Sequence, residues 1–376
     1  MRKKKFLILI ILVVGLSTAV VSINLINYKN IALLKQESQN NFASDQVSEN
    51  EKLLINFVQN KLTNDNYGVK TNYLNNVSEN EITKGDAVLS ESQGLIMLYY
   101  VTRDDKECFD NTYSYVKQNM LLDNKLISWR VDKNQKSDIT ATIDDLRIIR
   151  ALLYASVKWD NADYRKQALS YSKSLKKQLQ KDNLLLDYNG DSENNNQVTL
   201  SYLDLETFKM LSFFDRDYKK IYQKSLELID SGYIGDNIPL YRKAYSIDTE
   251  SFDNSNVDTL LSLITIKNRV EAGVDSSKSL SYLKEKLKKD GAIYAEYSLE
   301  SGEPSSNTES TSIYSYLLQA ASITNDNELV TLCLDKIKKY QVMENNSQIF
   351  GGFGNAKTLE LYSFDNLNAL NAYERK

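Results

Sequence analysis

The chemistry open to this 376-residue chain is narrowed by its composition, because the sequence contains no histidine. Without an imidazole there is no Ser-His-Asp or Cys-His nucleophile, no histidine-ligated zinc and no usual proton shuttle. Carboxylates, Tyr, Lys, Ser and Arg remain. Cleavage of glycosidic bonds is the large class of hydrolysis that runs on paired carboxylates alone, so the acidic residues are the first candidates for function.

Two acidic positions stand at predicted helix starts. Ser90 and Gln93 have capping-box spacing, which places Glu91 at the first helical position. Thr142 and Asp145 form a second such pair. Acidic residues are favoured in the first turn of any helix, because free backbone N–H groups and the helix dipole stabilise negative charge. Taken singly, each acidic residue therefore also has a purely structural explanation.

Glu91 needs a further feature if it is to donate a proton. The helix dipole stabilises a carboxylate, whereas a general acid must keep its proton near neutral pH. We therefore expect burial or a neighbouring carboxylate to raise the pKa of Glu91. Asp144, beside the second capping pair, and Asp253, near the start of a later helix, are the other acids of this kind.

Segments of helical periodicity follow one another from residue 49, with Asn, Asp and Gly clusters between them and two prolines in the whole chain. Tight connections alternate with long ones, which indicates helical hairpins arranged around a ring. The predicted fold is all-α, an (α/α)6 toroid of about twelve helices with the long loops at one rim. Glu91, Asp144 and Asp253 all follow long loops, so they are expected to converge at that rim. The predicted helices span about 49–63, 87–101, 105–120, 138–158, 161–181, 198–213, 215–231, 253–268, 275–289, 307–323, 325–340 and 357–373.

A superhelix of helical repeats is the alternative fold. It would need a repeated motif with a period of roughly 34–47 residues. The sequence shows no such motif, so we expect the toroid.

The N-terminus has the pattern of a membrane-targeting segment. Residues 1–5, MRKKK, precede an uncharged apolar run from Phe6 to about Ile23. The run is longer than the roughly 7–15 residues of a cleavable signal and long enough for the roughly 17–25 that span a bilayer. Residues 1–27 are therefore predicted to be a transmembrane anchor, with a cleaved signal peptide as the alternative. In either case the basic residues stay inside and the remainder is exported.

The exported part divides into a stalk and a domain. Residues 28–48 are polar and rich in Asn, Gln and Ser, which predicts a flexible extracellular stalk, and residues 49–376 form the helical domain. The net charge of −4 includes four basic residues near the N-terminus, and removing them leaves −8 outside. This charge argues against nucleic acid or an anionic membrane surface as ligand and favours an uncharged glycan. Cys108 and Cys333 could form one bridge or stay as buried thiols.

Five sequence blocks follow one another along the chain: SESQG at 90–94, LISWRVD at 126–132, ATIDDLRI at 141–148 followed by Trp159, SYL at 201–203, and NTES at 307–310 with Tyr314 in the next helix. In this order, and over roughly residues 65–370, they resemble the conserved core of glycoside hydrolase family 8. The resemblance implies an (α/α)6 barrel that hydrolyses β-1,4-linked glycans such as cellulose, chitosan, xylan and bacterial exopolysaccharides, with inversion at the anomeric carbon.

The resemblance also implies roles for individual residues. Glu91 would be the general acid that protonates the departing glycosidic oxygen. Asp253 would be the general base that activates a water on the opposite face of the sugar. Trp129 and Tyr202 lie in matching blocks, and we expect both to bind substrate because aromatic rings stack on the apolar faces of sugars. No cofactor and no metal is expected.

One departure from the family pattern concerns the residue that holds the sugar. Ile143 stands where the family has the first Asp of Ala-Thr-Asp-x-Asp. Asp144 is predicted to take over this catalytic position, although a shift of one residue turns a side chain by about 100° around a helix. Asp145 is predicted to contact substrate and is the alternative replacement.

A second departure concerns the base. Asn256 stands three residues after Asp253, where the family commonly has an Arg. Asp248 and Glu250 lie nearby and are competing candidates for the base. The assignment of Asp253 therefore rests on its aromatic-Asp context, Phe252-Asp253.

The sequence leads to the hypothesis of a monomeric, endo-acting, inverting glycosidase anchored in the cell membrane and facing outwards. Anchoring favours a self-produced exopolysaccharide as substrate, and with it a complex with an exopolysaccharide synthase and a role in biofilms. A catalytically inactive glycan-binding or scaffold protein is the main alternative, suggested by Ile143 and Asn256. A polysaccharide lyase is disfavoured. Lyases typically pair Tyr with His or Arg to act on a uronate, whereas this chain has no histidine and its exported part is acidic.

Overall fold

The structure, a computed structural model, describes residues 25–39, 42, 46–75, 85–190 and 196–375. Helix α1 (residues 25–38) is followed by the twelve helices predicted from residue 49 onward. Helices α2 and α4 each continue into a π-helical turn, at Val58–Leu62 and Val116–Met120, and a 3-10 turn, Leu200–Tyr202, precedes α7. The twelve are α2 (Glu49–Phe57), α3 (Ser90–Thr102), α4 (Lys106–Tyr115), α5 (Thr142–Lys158), α6 (Ala162–Leu179), α7 (Leu205–Ser212), α8 (Arg216–Ser231), α9 (Thr259–Glu271), α10 (Ser277–Asp290), α11 (Thr311–Ile323), α12 (Asn327–Tyr340) and α13 (Ser363–Tyr373).

These twelve helices form a double ring. Helices α3, α5, α7, α9, α11 and α13 pack side by side, and α13 closes the inner ring against α3. The helices between them in sequence pack outside. In α5, 15 of 17 residues are buried, against 5 of 16 in the outer helix α8. An inner helix needs partners on every face, whereas an outer helix keeps a polar face towards water. The predicted (α/α)6 barrel is therefore confirmed.

The two rims of the barrel differ. Every inner helix begins after a long connection, so all six inner N-termini lie at one rim, here called the loop rim. Small antiparallel sheets brace its loops. One sheet joins Val88–Leu89, Arg130–Asp132 and Gln135–Lys136, and another joins Gln197–Thr199, Ala244–Ser246 and Ser251–Phe252; paired strands are Gln180–Lys181 with Leu184–Leu185, Tyr233–Gly235 with Ile238–Tyr241, and Val257–Asp258 with Glu296–Tyr297.

The two predicted capping boxes do not form. Helix α3 begins at Ser90 itself, and the Ser90 hydroxyl donates to Asp144 Oδ2 at 2.8 Å. Helix α5 likewise begins at Thr142, whose hydroxyl donates to the carbonyl of Leu186. Both helix starts are buried under the long loops, so their polar side chains bind neighbouring elements instead of their own first turn.

The helix predicted from residue 253 begins later. Helix α9 starts at Thr259 and is capped by the side chain of Asp258. Asp253 lies instead in the loop after the strand Ser251–Phe252, where its carboxylate accepts from the backbone N–H of Ser255 at 2.6 Å. Such a bond lets Asp favour a turn over a helix.

Part of the segment predicted as a flexible stalk is a helix docked on the barrel. In α1, Leu34 and Ser38 are fully buried, and Ser38 lies against the sulfur of Met210. Lys209 Nζ lies 2.5 Å from Glu37 Oε1. Because these α7 residues belong to its C-terminal part, α1 packs at the rim opposite the loop rim. The stalk prediction is wrong for this helix, since a mostly polar composition conceals one apolar face.

The predicted transmembrane segment, residues 1–27, lies almost wholly outside the described residues. Among the helices that the structure describes, none combines the length and the apolar character needed to cross a membrane.

The two cysteines are free thiols, and the predicted alternative of a bridge is not formed. Cys333 is buried on α12, whereas Cys108 is half-buried on α4. Burial is the largest cause that raises the pKa of the Cys333 thiol, which disfavours its reactive thiolate form.

Candidate active site

Glu91 lies in the first turn of α3 at the loop rim. The preceding strand pairs Leu89 with Arg130, and the backbone N–H of Ser90 donates to the carbonyl of Trp129 at 3.0 Å. This pairing fixes where α3 begins. The Glu91 side chain is 29% exposed, so a ligand can reach it although most of it is shielded from water.

An ion cluster joins Glu91 to the neighbouring inner helices. Arg147 Nη1 lies 3.0 Å from Asp144 Oδ1 and 3.7 Å from Glu91 Oε2. The other oxygen of Asp144 accepts the hydrogen bond from Ser90. Arg147 Nη2 also donates to the Tyr316 hydroxyl at 3.4 Å. The cluster therefore brings α3, α5 and α11 together around the carboxyl group of Glu91.

These surroundings raise the pKa of Glu91 to about 7. Burial is the largest cause, and the charge of Asp144 adds to it. Arg147 opposes the shift, while Asp365 in the first turn of α13 raises the pKa further. The sequence predicted that burial or a neighbouring carboxylate would raise this pKa, and Glu91 has both. A carboxyl group with this pKa is mostly protonated below pH 7, as a general acid must be when substrate binds.

Ile143, Asp144 and Asp145 have different surroundings. Asp145 is buried and accepts from the backbone N–H of Ile127 at 3.0 Å and from the Thr140 hydroxyl, so both of its oxygens bind the neighbouring loop. Ile143, 8% exposed, lines a cavity on the barrel axis. Of the three residues, Asp144 is the one beside Glu91.

The two predicted sugar-binding aromatic residues both lie at the loop rim. Trp129 is half-buried, and its indole N–H donates to the Ser137 hydroxyl at 3.2 Å. Tyr202 is half-buried at the end of its 3-10 turn. Burial and the nearby charge of Asp144 raise the pKa of the Tyr202 phenol. The site thus has aromatic surfaces next to its carboxylates, a combination suited to a sugar chain.

Asp253, the predicted base, lies on an exposed loop of the same rim. Hydrogen bonds from Ser255 lower the pKa of Asp253, and the charge of Lys243 lowers it further. The competing Asp248 is also exposed, and it pairs with Lys181 at 3.2 Å. In the described part of the chain, neither acid is hydrogen-bonded to the cluster around Glu91.

Arg147, Tyr316 and Asp365 were not singled out from the sequence. Arg147 follows Asp144 by three residues, a spacing that brings two side chains together on one helix face, so this pair was detectable. Tyr316 and Asp365 come from α11 and α13. No local pattern links them to Glu91, because only ring closure brings these helices together.

A cavity of about 60 Å³ lies on the barrel axis next to the cluster. Arg147, Arg150 and Glu271 are among the charged side chains on its wall. Three buried atoms on this wall have no hydrogen-bond partner among the described residues: Ser201 Oγ, Gln319 Nε2 and Asn368 Oδ1. A polar cavity of this size has room for ordered water. Within the described ranges, no group of three or more acidic, Cys or His side chains is arranged to hold a metal ion.

Known proteins resemble this chain in sequence and in fold. The model of glycosyl hydrolases family 8 matches residues 76–237. A Clostridium perfringens structure described as a novel alpha-amylase is 45% identical, with a TM-score of 0.84 and coverage of 87% of this chain and 97% of that chain. The "Putative lipoprotein YdaJ" of Bacillus subtilis (strain 168) is 26% identical over 322 residues, 85% of each protein. The endo-beta-1,4-glucanase CMCax of Acetobacter xylinum has the same fold at 15% identity, with a TM-score of 0.63 and coverage of 87% of this chain and 97% of that chain.

The family match includes Glu91, Asp144 and Arg147, the three residues of the ion cluster on α3 and α5. The relatives extend the likeness over most of the barrel. The predicted glycosidase is therefore confirmed, and the chain belongs to the glycosyl hydrolases family 8.

Proposed function

We propose that this protein hydrolyses internal bonds of a polysaccharide by an inverting acid/base mechanism, with Glu91 as the acid. One observation carries the proposal. Glu91 is a shielded but reachable carboxyl group with a pKa of about 7, at the rim where all six inner helices begin. An ordinary surface glutamate would have lost its proton well below neutral pH.

In this mechanism Glu91 gives its proton to the glycosidic oxygen while the bond from that oxygen to the anomeric carbon breaks. The electron pair of the bond leaves with the oxygen. A water molecule, which gives its proton to the base, adds to the anomeric carbon from the opposite face. Asp144 is proposed to hold the sugar at the cleavage point, and Trp129 and Tyr202 to stack on neighbouring rings.

Asp253 is the proposed base. Its exposed carboxylate and lowered pKa suit a group that must be ionised when substrate binds. Asp258 is the structural rival, because it caps α9, the inner helix opposite α3 in the ring. Alanine variants of both residues distinguish them. An inverting enzyme without its base accepts azide in place of water, so azide should restore turnover in D253A and give a glycosyl azide of inverted configuration. Rescue of D258A alone would transfer the role to Asp258.

The proposed substrate is a 1,4-linked glucan, and the relatives suggest two linkages. The 45% identical relative is described as an alpha-amylase, which supports an α-linked glucan. The expected β-1,4 linkage agrees with a relative described as an endo-beta-1,4-glucanase, which shares the fold at 15% identity. We place the α-linked glucan first because of the higher identity. Reducing-end release from amylose and glycogen, compared with carboxymethylcellulose, xylan and chitosan, decides between them.

We further propose that the enzyme acts outside the cell and is held at the membrane by residues 1–27. The apolar run of this segment supports the proposal, as does the description of the 26% identical relative as a lipoprotein. A tethered enzyme would act on polymer at its own cell surface, such as a self-made exopolysaccharide or the product of a neighbouring synthase. Membrane fractionation of cells that express the full chain tests the tether. Recovery of shortened protein from the medium would favour a cleaved signal.

A second candidate function is glycan binding without cleavage. Ile143 favours this function, because an apolar side chain stands where the family holds the sugar with Asp. In this protein Ile143 lines the axial cavity. This reading expects polysaccharide binding by the wild-type protein and no new reducing ends.

The decisive experiment replaces Glu91 by Gln. On the polymer that the wild type cleaves, E91Q should lose at least about a hundredfold in kcat, because general acids typically contribute 10² to 10⁴. Binding of the polymer and the unfolding midpoint should stay close to wild type. The matched control is E360Q, an isosteric change at an exposed glutamate of the loop before α13, and it should keep full activity. Retention of activity within tenfold by E91Q would refute the proposal.

A further inference from the structure

A hydrogen bond joins the first turns of α3 and α13. The hydroxyl groups of Ser92 and Ser363 lie 2.8 Å apart, and both residues are buried. Ser92 follows Glu91 directly, and Ser363 precedes Asp365 by two residues. The bond therefore ties the first turn of α13, which carries Asp365, to the first turn of α3, which carries Glu91.

The Asp365 carboxylate is fixed through one oxygen. Its Oδ1 accepts from the Ser312 hydroxyl at 2.6 Å, and from the Ser312 backbone N–H and the Ser310 hydroxyl at 3.2 Å each. These donors belong to the start of α11. Its Oδ2 accepts no hydrogen bond from any described residue, and the side chain is half-buried. The start of α11 thus positions a carboxylate that keeps one oxygen free.

The charges around Glu91 are unequal. Asp144 and Arg147 face it from α5, and Asp365 faces it from α13. The phenols of Tyr202 and Tyr316 complete the ionisable groups that interact with it. Arg147 lies 3.0 Å from Asp144 and 3.7 Å from Glu91, so its positive charge is shared between them. Asp365 forms no ion pair with a described residue, so hydrogen bonds from the start of α11, and no cation, stabilise its charge.

We propose that Asp365 is a positioning residue that keeps Glu91 in its proton-carrying form until a glycosidic oxygen is in place. Its charge disfavours a second carboxylate nearby, so Glu91 remains protonated at neutral pH, the form in which it must meet the glycosidic oxygen. Asp144 acts in the same direction, and it is paired with Arg147 at 3.0 Å. The inference deepens the proposed function and rests on the role of Glu91 as the acid.

The raised pKa of Glu91 supports this reading, since burial, Asp144 and Asp365 all raise it and Arg147 lowers it. The first measurement therefore needs no substrate. Isotope-edited infrared spectra of protein labelled with ¹³C-glutamate, minus spectra of E91Q, report the ionisation of Glu91 alone. In D365N, which keeps the shape of the side chain, Glu91 should ionise at a pH lower by roughly half a unit or more, as expected for removal of a nearby like charge.

The second measurement is the pH profile of kcat/KM on the polymer that the wild type cleaves. The alkaline limb of D365N should move to lower pH, so that activity falls at least about threefold at pH 8 and changes little at pH 5.5. E360Q removes the same charge from an exposed position five residues earlier, and its limb should not move. S312A, which removes the shortest hydrogen bond to Asp365, should produce a smaller shift in the same direction.

The outcomes separate the two proposals. A uniform loss of activity at every pH, with unchanged Glu91 ionisation, would give Asp365 only a structural role and overturn this inference. The same holds if D365N titrates like the wild type. If the wild type cleaves no polymer, the proposed function fails, and the infrared titration still decides whether Asp365 controls the proton on Glu91.

Discussion

Gly94 brings the backbone of α3 so close to α5 that a Cβ atom added there would lie 2.8 Å from the Cβ of Arg147. Gly94 stands three residues after Glu91, on the turn that follows the first turn of α3. The close approach of the two helices lets Arg147, which pairs with Asp144 on its own helix, also reach Glu91. The distance between the proposed acid and its cation is therefore set by backbone packing.

The first prediction concerns G94A. The added methyl group must push α3 away from α5, which typically costs about 1–3 kcal/mol for overpacking in a well-packed core. Because the displaced residue is Arg147, kcat should fall by more than the loss of folded protein explains. Chemical unfolding and kinetics on the same preparation test this. A variant with wild-type stability and wild-type kcat would mean that the inner ring tolerates the shift.

The second prediction concerns the pH dependence of activity. Glu91 must be protonated to act, and its pKa is about 7. The reactive fraction is therefore nearly complete at pH 5.5 and falls about tenfold for each unit above pH 7 to 8. The profile of kcat/KM against pH measures this limb directly. A rate that stays level up to pH 9 would exclude Glu91 as the proton donor.

The third prediction uses Glu374, which is buried at the rim opposite the active site. Burial is the main cause that raises the pKa of Glu374 to about 7, and the Thr102 hydroxyl donates to its carboxyl group. A carboxyl group with a raised folded-state pKa contributes stability that is complete below its unfolded pKa of 4.5 and is lost as the pH rises through about 7. The loss amounts to about 3 kcal/mol at 1.36 kcal/mol per pH unit.

Glutamine cannot ionise, so E374Q should escape this loss. Its unfolding free energy relative to the wild type should rise by about 3 kcal/mol between pH 4.5 and pH 8. Urea unfolding at several pH values measures the difference. E360Q, at an exposed site, should run parallel to the wild type. Parallel curves for E374Q itself would show that Glu374 is ionised in the folded protein without cost.

The fourth prediction tests whether α1 is part of the folded domain. Leu34 is fully buried against the barrel, so L34A should cost about 2–5 kcal/mol, as buried Leu-to-Ala changes do. Leu25, at the start of the same helix, is 64% exposed and serves as the control. L25A should leave the unfolding midpoint unchanged. Equal, small effects of both substitutions would mean that α1 contributes nothing to stability.

The helices were predictable because their signal is local. Apolar residues at helical spacing lie within each segment, and the alternation of short and long connections indicates a ring. Glu91 could be singled out as a candidate acid, since its sequence block and the absence of histidine both point to it. The ends of the helices were harder to predict. Ser90 and Thr142 have the right spacing for capping boxes, yet in a buried rim their hydroxyl groups are taken by Asp144 and Leu186.

The residues that surround Glu91 could be predicted only in part. Arg147 shares a helix face with Asp144, so a spacing rule reaches it. Asp365 and Tyr316 meet Glu91 only once the ring has closed, and no property of their own segments indicates this. Asp253 was expected in a helical first turn, but its carboxylate bonds to Ser255 and forms a turn instead. Contacts between segments decide these positions.

The docking of α1 also fixes a direction. The helix is held to α7 through Ser38 and Glu37 at the rim away from Glu91, so the chain enters the barrel from behind its active site. Whatever the N-terminus is fastened to, the loop rim that carries Glu91 lies at the other end of the barrel. A long polymer bound at the loop rim would not pass between the barrel and its point of attachment, so the length of the attachment would not limit the size of the substrate.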